Sequence, residues 1–527
     1  TIKAITDVAV TRRLNRREFL QSAAAAGVST AFATSLWPTI AKAQAGQRGG
    51  SLKLGADGGT STDTLNPLTL LGADHPQNVA FAVYDTLMEI DHEGTPQPSL
   101  AESVEGSPDG TWAIRLRKGV EFHDGKPCTA SDVVWSLQQH KREDNKNAEG
   151  AQIVGNMAEI KADGPDLVVI KQSEVNFDLP AHLSSFGLLI GKEGNEDWNA
   201  GVGTGPYTMG AYEPGVRFTG ERFGNFYRDD QGYFDSVEIL NVADAAARAS
   251  GLLSGSLDAI GSPDISTATR LARVRGYELV SVAGTQHYTT DMRTDTGPLT
   301  DPNVRNAVKW AFKRQEIVDN VLGGFATIGN DIPLSPAQKF YNNQLPQREY
   351  DPDQVAYYLR EAGLTSVDLT FHTSDGAFSG AVDLGALMAE SMRPLGINVT
   401  VAREPADGYW SNVWMTQPWT ASYYAGRPTA DWMLTSQYAS TSQWDATYFK
   451  NAEFDALLAK ARTEQDDAAR EALYFEAQKL LWEKGGVAVL AFVNILIGAS
   501  ESLGHGPVGI SRRLDDARLA RRWWSKG

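Results

Sequence analysis

The sequence predicts a protein of α/β or α+β layers, with about three domains or lobes whose segments interweave. Three observations carry this reading. At 527 residues the chain is several times the length of one ordinary domain, for which roughly 150 residues is typical. Short strand-like runs alternate with clear amphipathic helices along most of its length. No internal repeat and no low-complexity linker divides one stretch from the next, so the lobes are not strung like beads.

The first element reads as an address. Lys3, Arg12, Arg13, Arg16, Arg17 and Lys42 outnumber Asp7 and Glu18 there, so residues 1–45 are net +4 and the rest of a chain of −17 carries −21. A mildly apolar run, residues 22–36, follows. It leads to Ala41-Lys42-Ala43-Gln44-Ala45, which offers cleavage after Ala43 or Ala45. A basic start, a short apolar stretch and small residues before cleavage make a secretory signal. Arg16-Arg17 before Phe19-Leu20 resembles the twin-arginine export type. With no cysteine beside the cleavage site, lipid attachment there is not expected. The mature chain is expected to begin near Gly46 as a soluble exported protein. No later run approaches 18 uninterrupted apolar residues; residues 487–497 read as a buried strand or a short helix.

Leu52-Lys53-Leu54 opens the mature chain as a strand and enters the polar turn Gly58-Gly59-Thr60-Ser61-Thr62-Asp63. Residues 112–117 alternate apolar and charged side chains, as a half-buried strand does. Asp301-Pro302 starts a helix whose apolar face is Val304, Val308, Ala311 and Phe312, and Gly323-Gly324 stops it. Asp351-Pro352 starts another, with Val355, Tyr358, Leu359 and Ala362 before Gly363. Phe454, Leu457, Leu458 and Ala461 form one later face; Leu473, Ala477, Leu480 and Leu481 form the next, closed by Gly485-Gly486.

Composition excludes several classes of function. With 42% hydrophobic and 21% charged residues the chain is an ordinary globular one. Its acidic balance repels phosphate and argues against a nucleic-acid partner. Cys128 stands alone, which excludes a disulfide framework, a C-x-x-C pair and a multi-cysteine zinc site; it reads as a small buried apolar side chain. There is no G-x-S-x-G turn to raise a serine nucleophile. The eight histidines never fall at metal-ligand spacing. Gly203-Thr204-Gly205-Pro206 lacks the Gly-Lys-Ser/Thr that cradles phosphate. No catalytic residue, metal site or cofactor is therefore assigned.

Several blocks carry a specific likeness. They run Pro98-Ser99-Leu100-Ala101-Glu102-Ser103, Ser107-Pro108-Asp109-Gly110, then Arg115 through Pro127 with Glu121-Phe122-His123-Asp124-Gly125-Lys126, then Thr129-Ala130-Ser131-Asp132 to Leu137. Further on come Gly203 to Tyr207, Glu213-Pro214-Gly215, Pro298 to Asp301, Tyr350-Asp351-Pro352, Glu361-Ala362-Gly363 and Phe454 to Leu458. Together these resemble the family 5 extracellular solute-binding proteins, the dipeptide, oligopeptide and nickel receptors of ABC importers, across residues 50–500. The resemblance implies an α/β fold of two lobes joined by crossing strands, the periplasmic-binding-protein fold with an extra subdomain on lobe I. Lobe I is placed at 46–80, 210–285 and 495–527, the extra subdomain at 81–209 and lobe II at 286–494. It implies a monomeric periplasmic receptor that captures a small-molecule or peptide ligand and delivers it to ABC permease subunits in the membrane, without enzymatic activity.

For the site, residues 409–432 hold Tyr409, Trp410, Trp414, Trp419, Tyr423, Tyr424 and Trp432, seven aromatics in 24 residues where the chain's 9% average gives about two. They serve either as a local core or as flat faces for a ligand. Trp410, Trp419, Tyr423 and Tyr424 are expected to line the cleft, since the family's pocket falls here. Peptide-binding relatives carry an aspartate in this block for the ligand's ammonium group; the matching position is Gly426, followed by Arg427. The segment where some dipeptide receptors place an arginine reads Phe371-His372-Thr373-Ser374-Asp375. Asp375, Asp431 or Asp63 is left to supply a carboxylate from another direction. Thr60, Ser61 and Thr62 match the loop through which lobe I touches the ligand, or form a plain surface turn. The expected ligand is a peptide or a blocked amino-acid derivative such as an opine. A non-peptide solute such as an oligosaccharide is the alternative, and a secreted hydrolase the rival from another class.

Overall fold

The computed structural model describes Phe19, Leu20, Ala23, residues 46–69 and residues 72–526; the paired arginines and the cleavage sites of the N-terminal segment lie outside these. Among the described residues eleven strands join in one sheet. Its longest members, Tyr277–Met292 and Val487–Ser500, run antiparallel from Tyr277 opposite Ser500 to Asp291 opposite Val487. The first is rich in Val, Tyr and Thr and the second in Val and Ile, which suit a pleated, buried surface. The 487–497 run, open between strand and helix, is thus strand.

These two strands belong to both halves of the sheet. Where Val280 faces Ile497 they continue into Ala259–Gly261, Ser51–Ala56, Ser236–Asn241, Arg217–Arg222 and Tyr207–Glu213. Where Thr290 faces Ala421 they continue into Trp419–Tyr424, Val367–Thr373 and Ile397–Arg403. Between the halves the register slips, first between Ala283 and His287 and again between Tyr288 and Thr289. Such bulges break the ladder locally and bend the strand.

Each half has its own apolar core, giving two lobes. In the first, Leu52, Leu54, Phe218 and Ile239 of the sheet pack on helix Asp74–Val83 and on the C-terminal Leu514 and Trp523. That helix is buried all round from His75 to Val83, because sheet and C-terminal segment enclose it. In the second, Val304, Val308, Phe371, Leu384, Trp419 and Leu490 meet. A further core, built mainly from residues 87–190 between two chain segments of the first core, lies on the antiparallel sheet Ala101–Gly106, Thr111–Leu116, Leu167–Gln172 and Met157–Ala162. Cys128 packs half-buried against that core, and burial pushes its thiol up. A fourth core lies under helices Ala430–Tyr438, Ala452–Thr463 and Asp467–Lys484.

The helix starts follow from their caps. Asp301 accepts from the Asn303 N–H (2.8 Å), and Asp351 accepts from those of Asp353 and Gln354 (2.9 and 3.0 Å), each with proline at the next position. The helix expected to run from Asp301 to Gly323-Gly324 is shorter: Pro302–Trp310 ends and the chain turns at residues 311–313. The turn sends Arg314 inward, where Nη2 donates to both oxygens of Asp331 (2.8 and 2.9 Å). Arg348 Nη1 donates to the same carboxylate at 2.8 Å, and all three side chains are at most 2% exposed. A one-sided apolar count could not see this buried ionic knot, which overrides the helical pattern.

Removing one member of a buried ion group leaves the others unpaired, at a cost of about 3–5 kcal/mol. Asp331→Ala is therefore expected to lower unfolding free energy by about that much in urea titration. A loss below about 1 kcal/mol would contradict the role given to this carboxylate.

Candidate binding cleft

The bulge of Tyr277–Met292 brings Thr285 against the turn that follows Trp419–Tyr424. A Cβ on Gly426 would stand 1.7 Å from Thr285 Oγ1, and one on Gly284 would stand 2.5 Å from the Val493 carbonyl oxygen. Thr285 is itself tied down, its N–H and Oγ1 both donating to the Ile510 carbonyl (3.1 and 3.3 Å). Position 426 thus admits no side chain. The backbone there passes too close to the crossing strand for one.

Beside this point the aromatics divide. Tyr423 and Trp410, 40% and 38% exposed, meet edge to face at 5.4 Å, and Trp410 meets Trp414 at 5.5 Å. With Tyr424, Trp444 and Arg427 they line a cavity of about 330 Å³. Trp419 lies elsewhere. It is fully buried, packed on Phe371 at 5.0 Å in the second lobe's core, so the structure gives it a core position in place of the cleft wall expected from sequence. Its neighbours in a pleated strand explain this: Trp419 and Ala421 share the inward face that Tyr423 leaves only at the strand's end. Tyr409 is likewise buried, its hydroxyl donating to the Ala421 carbonyl (2.8 Å), and Trp432 is buried edge-on against His182 at 4.9 Å.

The acids expected to face a ligand are engaged with other partners. Asp431 is buried and takes two bonds from Arg462 Nε (2.8 and 3.1 Å), beside a separate cavity of about 370 Å³ that Trp432 also lines. Asp375 is exposed and paired with Arg403 (3.1 Å). Asp63 holds the first lobe's turn, accepting from Thr60 N–H (3.0 Å) and Thr60 Oγ1 (2.8 Å). The turn itself, Thr60, Ser61 and Thr62, is exposed. It leans on Gly215, whose left-handed backbone passes so close that a Cβ there would lie 2.3 Å from the Thr60 carbonyl carbon.

Sequence reasoning missed a set of charges contributed by both ends of the chain. Arg513 Nη1 lies 3.5 Å from Asp74 Oδ2 and 3.9 Å from Asp57 Oδ1, and Arg248 Nη2 lies 3.1 Å from Asp57 Oδ2. Burial pushes the Asp74 carboxyl up to about 6, against the pull of Arg513. Tyr288, stacked on Phe378 of the second lobe (4.1 Å), is among the groups acting on Arg513, so this cluster borders the junction of the lobes. No spacing rule links residues 57, 74 and 513; only the packing of the C-terminal segment on helix Asp74–Val83 joins them. Among the described residues no three His, Cys, Asp or Glu side chains gather as a metal site.

The wall's underside carries a titrating group. Tyr424 Oη donates to Asp291 Oδ2 (2.9 Å) on the crossing strand, and burial pushes that carboxyl up to about 6. A raised acid holds its proton more tightly folded than unfolded, so this group's contribution to stability falls as pH rises from 3.8 to about 6 and stays lost above. Asp291→Asn keeps an acceptor for Tyr424 and removes the charge. It is expected to raise stability at pH 7.5, by at most about 3 kcal/mol, with little effect at pH 4. Thermal unfolding at both pH values reads this; equal effects at both would contradict it.

Comparison with known proteins agrees with this architecture. A family model described as bacterial extracellular solute-binding proteins, family 5 middle, matches residues 95–445. The glutathione-binding protein GsiB of Salmonella typhi is 25% identical over 445 residues, covering 81% of this chain and 86% of that protein. Among solved structures, the fold is similar to that of DppA from Helicobacter pylori in complex with the peptide STSA, with a TM-score of 0.74 at 21% identity over 91% of this chain and 99% of that one. It is similar also to AgaA from A. tumefaciens in complex with agropinic acid, with a TM-score of 0.74 at 19% identity over 91% and 99% of the two chains. With a match over the larger part of its length and two lobes joined by crossing strands, the chain belongs to the bacterial extracellular solute-binding proteins of family 5.

Proposed function

We propose that this chain is the periplasmic receptor of an ABC importer, which captures a small peptide-like or amino-acid-derived solute between its lobes and presents it to membrane permease subunits. The observation that carries the reading is the open aromatic cavity of about 330 Å³ beside the bulged crossing strands. Aromatic faces with hydrogen-bonding edges hold a small solute at low entropic cost. A peptide bound as in the ammonium-pairing relatives is disfavoured, because Gly426 leaves no room for the acid. Solutes with a blocked or displaced amine fit better. The peptide, glutathione and agropinic acid named for the similar proteins lie within this range of chemistry.

Contacts join the two sides of the molecule. Asp178 and Arg470 pair at 2.6 Å and the Phe177 N–H donates to the Arg462 carbonyl at 3.1 Å, tying the inserted subdomain to the second lobe. Ligand that touches both sides shifts the population towards such a closed form. The basic, alanine-rich residues 1–45 support export by the twin-arginine route with cleavage after Ala43 or Ala45, leaving a monomer in the periplasm.

Mass spectrometry of the protein purified from periplasm is expected to find a bound small solute, and calorimetry to return one site per chain with the solute recovered unchanged. Turnover of that solute would replace the receptor by the rival hydrolase; no bound or binding solute would remove the reading. Tyr423→Ala is expected to weaken binding at least about tenfold, or 1.4 kcal/mol, at unchanged stability. Trp419→Ala should instead cost about 3–5 kcal/mol of stability through a core cavity.

A further inference from the structure

We infer that Arg427 and Arg512, one from each lobe, form a clamp for a carboxylate of the solute, which the two guanidiniums approach from opposite sides of the cleft; this rests on the receptor reading. Arg427 lines the aromatic cavity. Its Nη1 reaches only the carbonyls of Ala425 and Gly426 (3.3 Å each), its Nε is buried with no hydrogen-bond partner, and the nearest acid oxygen, Glu149 Oε2, is 4.0 Å away. Glu149 is already held by Ser185 Oγ (2.5 Å). The next residue, Phe186, carries the Arg512 guanidinium over its ring at 4.4 Å. Among the described residues the Arg512 side chain makes no hydrogen bond or ion pair. The charges acting on it include Glu149 and Arg427. Arg427 is thus at ion-pair distance from one carboxylate, whose charge also acts on Arg512.

A second observation is independent of these distances. Directly after Arg512 and Arg513, Leu514, Asp515, Asp516 and Ala517 all take left-handed backbone angles, φ from 53° to 59°. A run of four non-glycine residues there is strained and persists only where its surroundings enforce it. Asp515 and Asp516 enforce it: Asp516 Oδ1 accepts from the Ser511 and Arg512 N–H groups (3.0 and 2.6 Å), while Asp515 accepts from the Gly509 N–H (2.8 Å), Arg522 (3.1 Å) and Trp523 (3.1 Å). The strained turn fixes where the Arg512 side chain leaves the backbone, as a preorganised anion site requires. Because the two arginines come from different lobes, a carboxylate between them favours the closed form.

The test titrates glutathione and trialanine, each as the free acid and with every carboxylate amidated, into the wild-type mature protein, Arg427→Gln and Arg512→Gln by calorimetry. The acids are expected to bind at least tenfold more tightly than the amides, and the preference to vanish in each variant at unchanged melting temperature. Equal affinity for acid and amide, or a preference kept in both variants, overturns the clamp and leaves the receptor reading standing. If neither pair binds, crystals grown in selenate decide. An anomalous peak between the two guanidiniums that Arg512→Gln abolishes supports the clamp even where the receptor reading fails. No peak there, or one that persists as an adventitious ion only, overturns it.

Discussion

The antiparallel pairing of Tyr277–Met292 with Val487–Ser500 is the constraint on which the rest of the structure depends. Each strand is a central member of both half-sheets, so each lobe's core is built on the same two segments of chain. Only the bulged stretch between Ala283 and Thr289 interrupts their ladder. That interruption bends the strands between the lobes and fixes what can stand beside it. The chain passes so close that positions 284 and 426 must be glycine for want of space.

The cleft meets this constraint by dividing labour. The second lobe supplies aromatic faces, Trp410 and Tyr423 open to solvent and Tyr424 anchored from below by Asp291. The first lobe supplies charge, through Asp57, Asp74 and Arg513 behind the Thr60–Thr62 turn. Aromatic burial gives affinity with little demand on orientation, whereas buried charge penalises any solute that fails to match it.

Much of the fold was legible because it follows local rules. Asp301-Pro302 and Asp351-Pro352 announce helix starts through capping, and residues 112–117 announce a strand through alternation. The family blocks then implied two lobes and crossing strands. The early end of Pro302–Trp310 was not legible, since it depends on Asp331 and Arg348 far along the chain. In the site, composition found the aromatic segment but not which rings face out: Trp419 and Tyr423 belong to one strand and differ only in how near they stand to its end. Asp431 and Asp375 were plausible by type alone, and their partners Arg462 and Arg403 lie in other elements. The acids and arginines at 57, 74, 512 and 513 share no spacing and are united only by tertiary packing.

The central claim is that the lobes close on a solute about the bulged strands. It is tested most directly by the distance between two labels, on cysteines replacing Val216 in the first lobe and Tyr357 in the second, both exposed, in a Cys128→Ser background. Protein stripped of bound solute by unfolding and refolding is predicted to show a broad, longer distance, and the small-molecule fraction of the periplasm to restore a narrow, shorter one. One unchanged distance with and without that fraction would contradict the account.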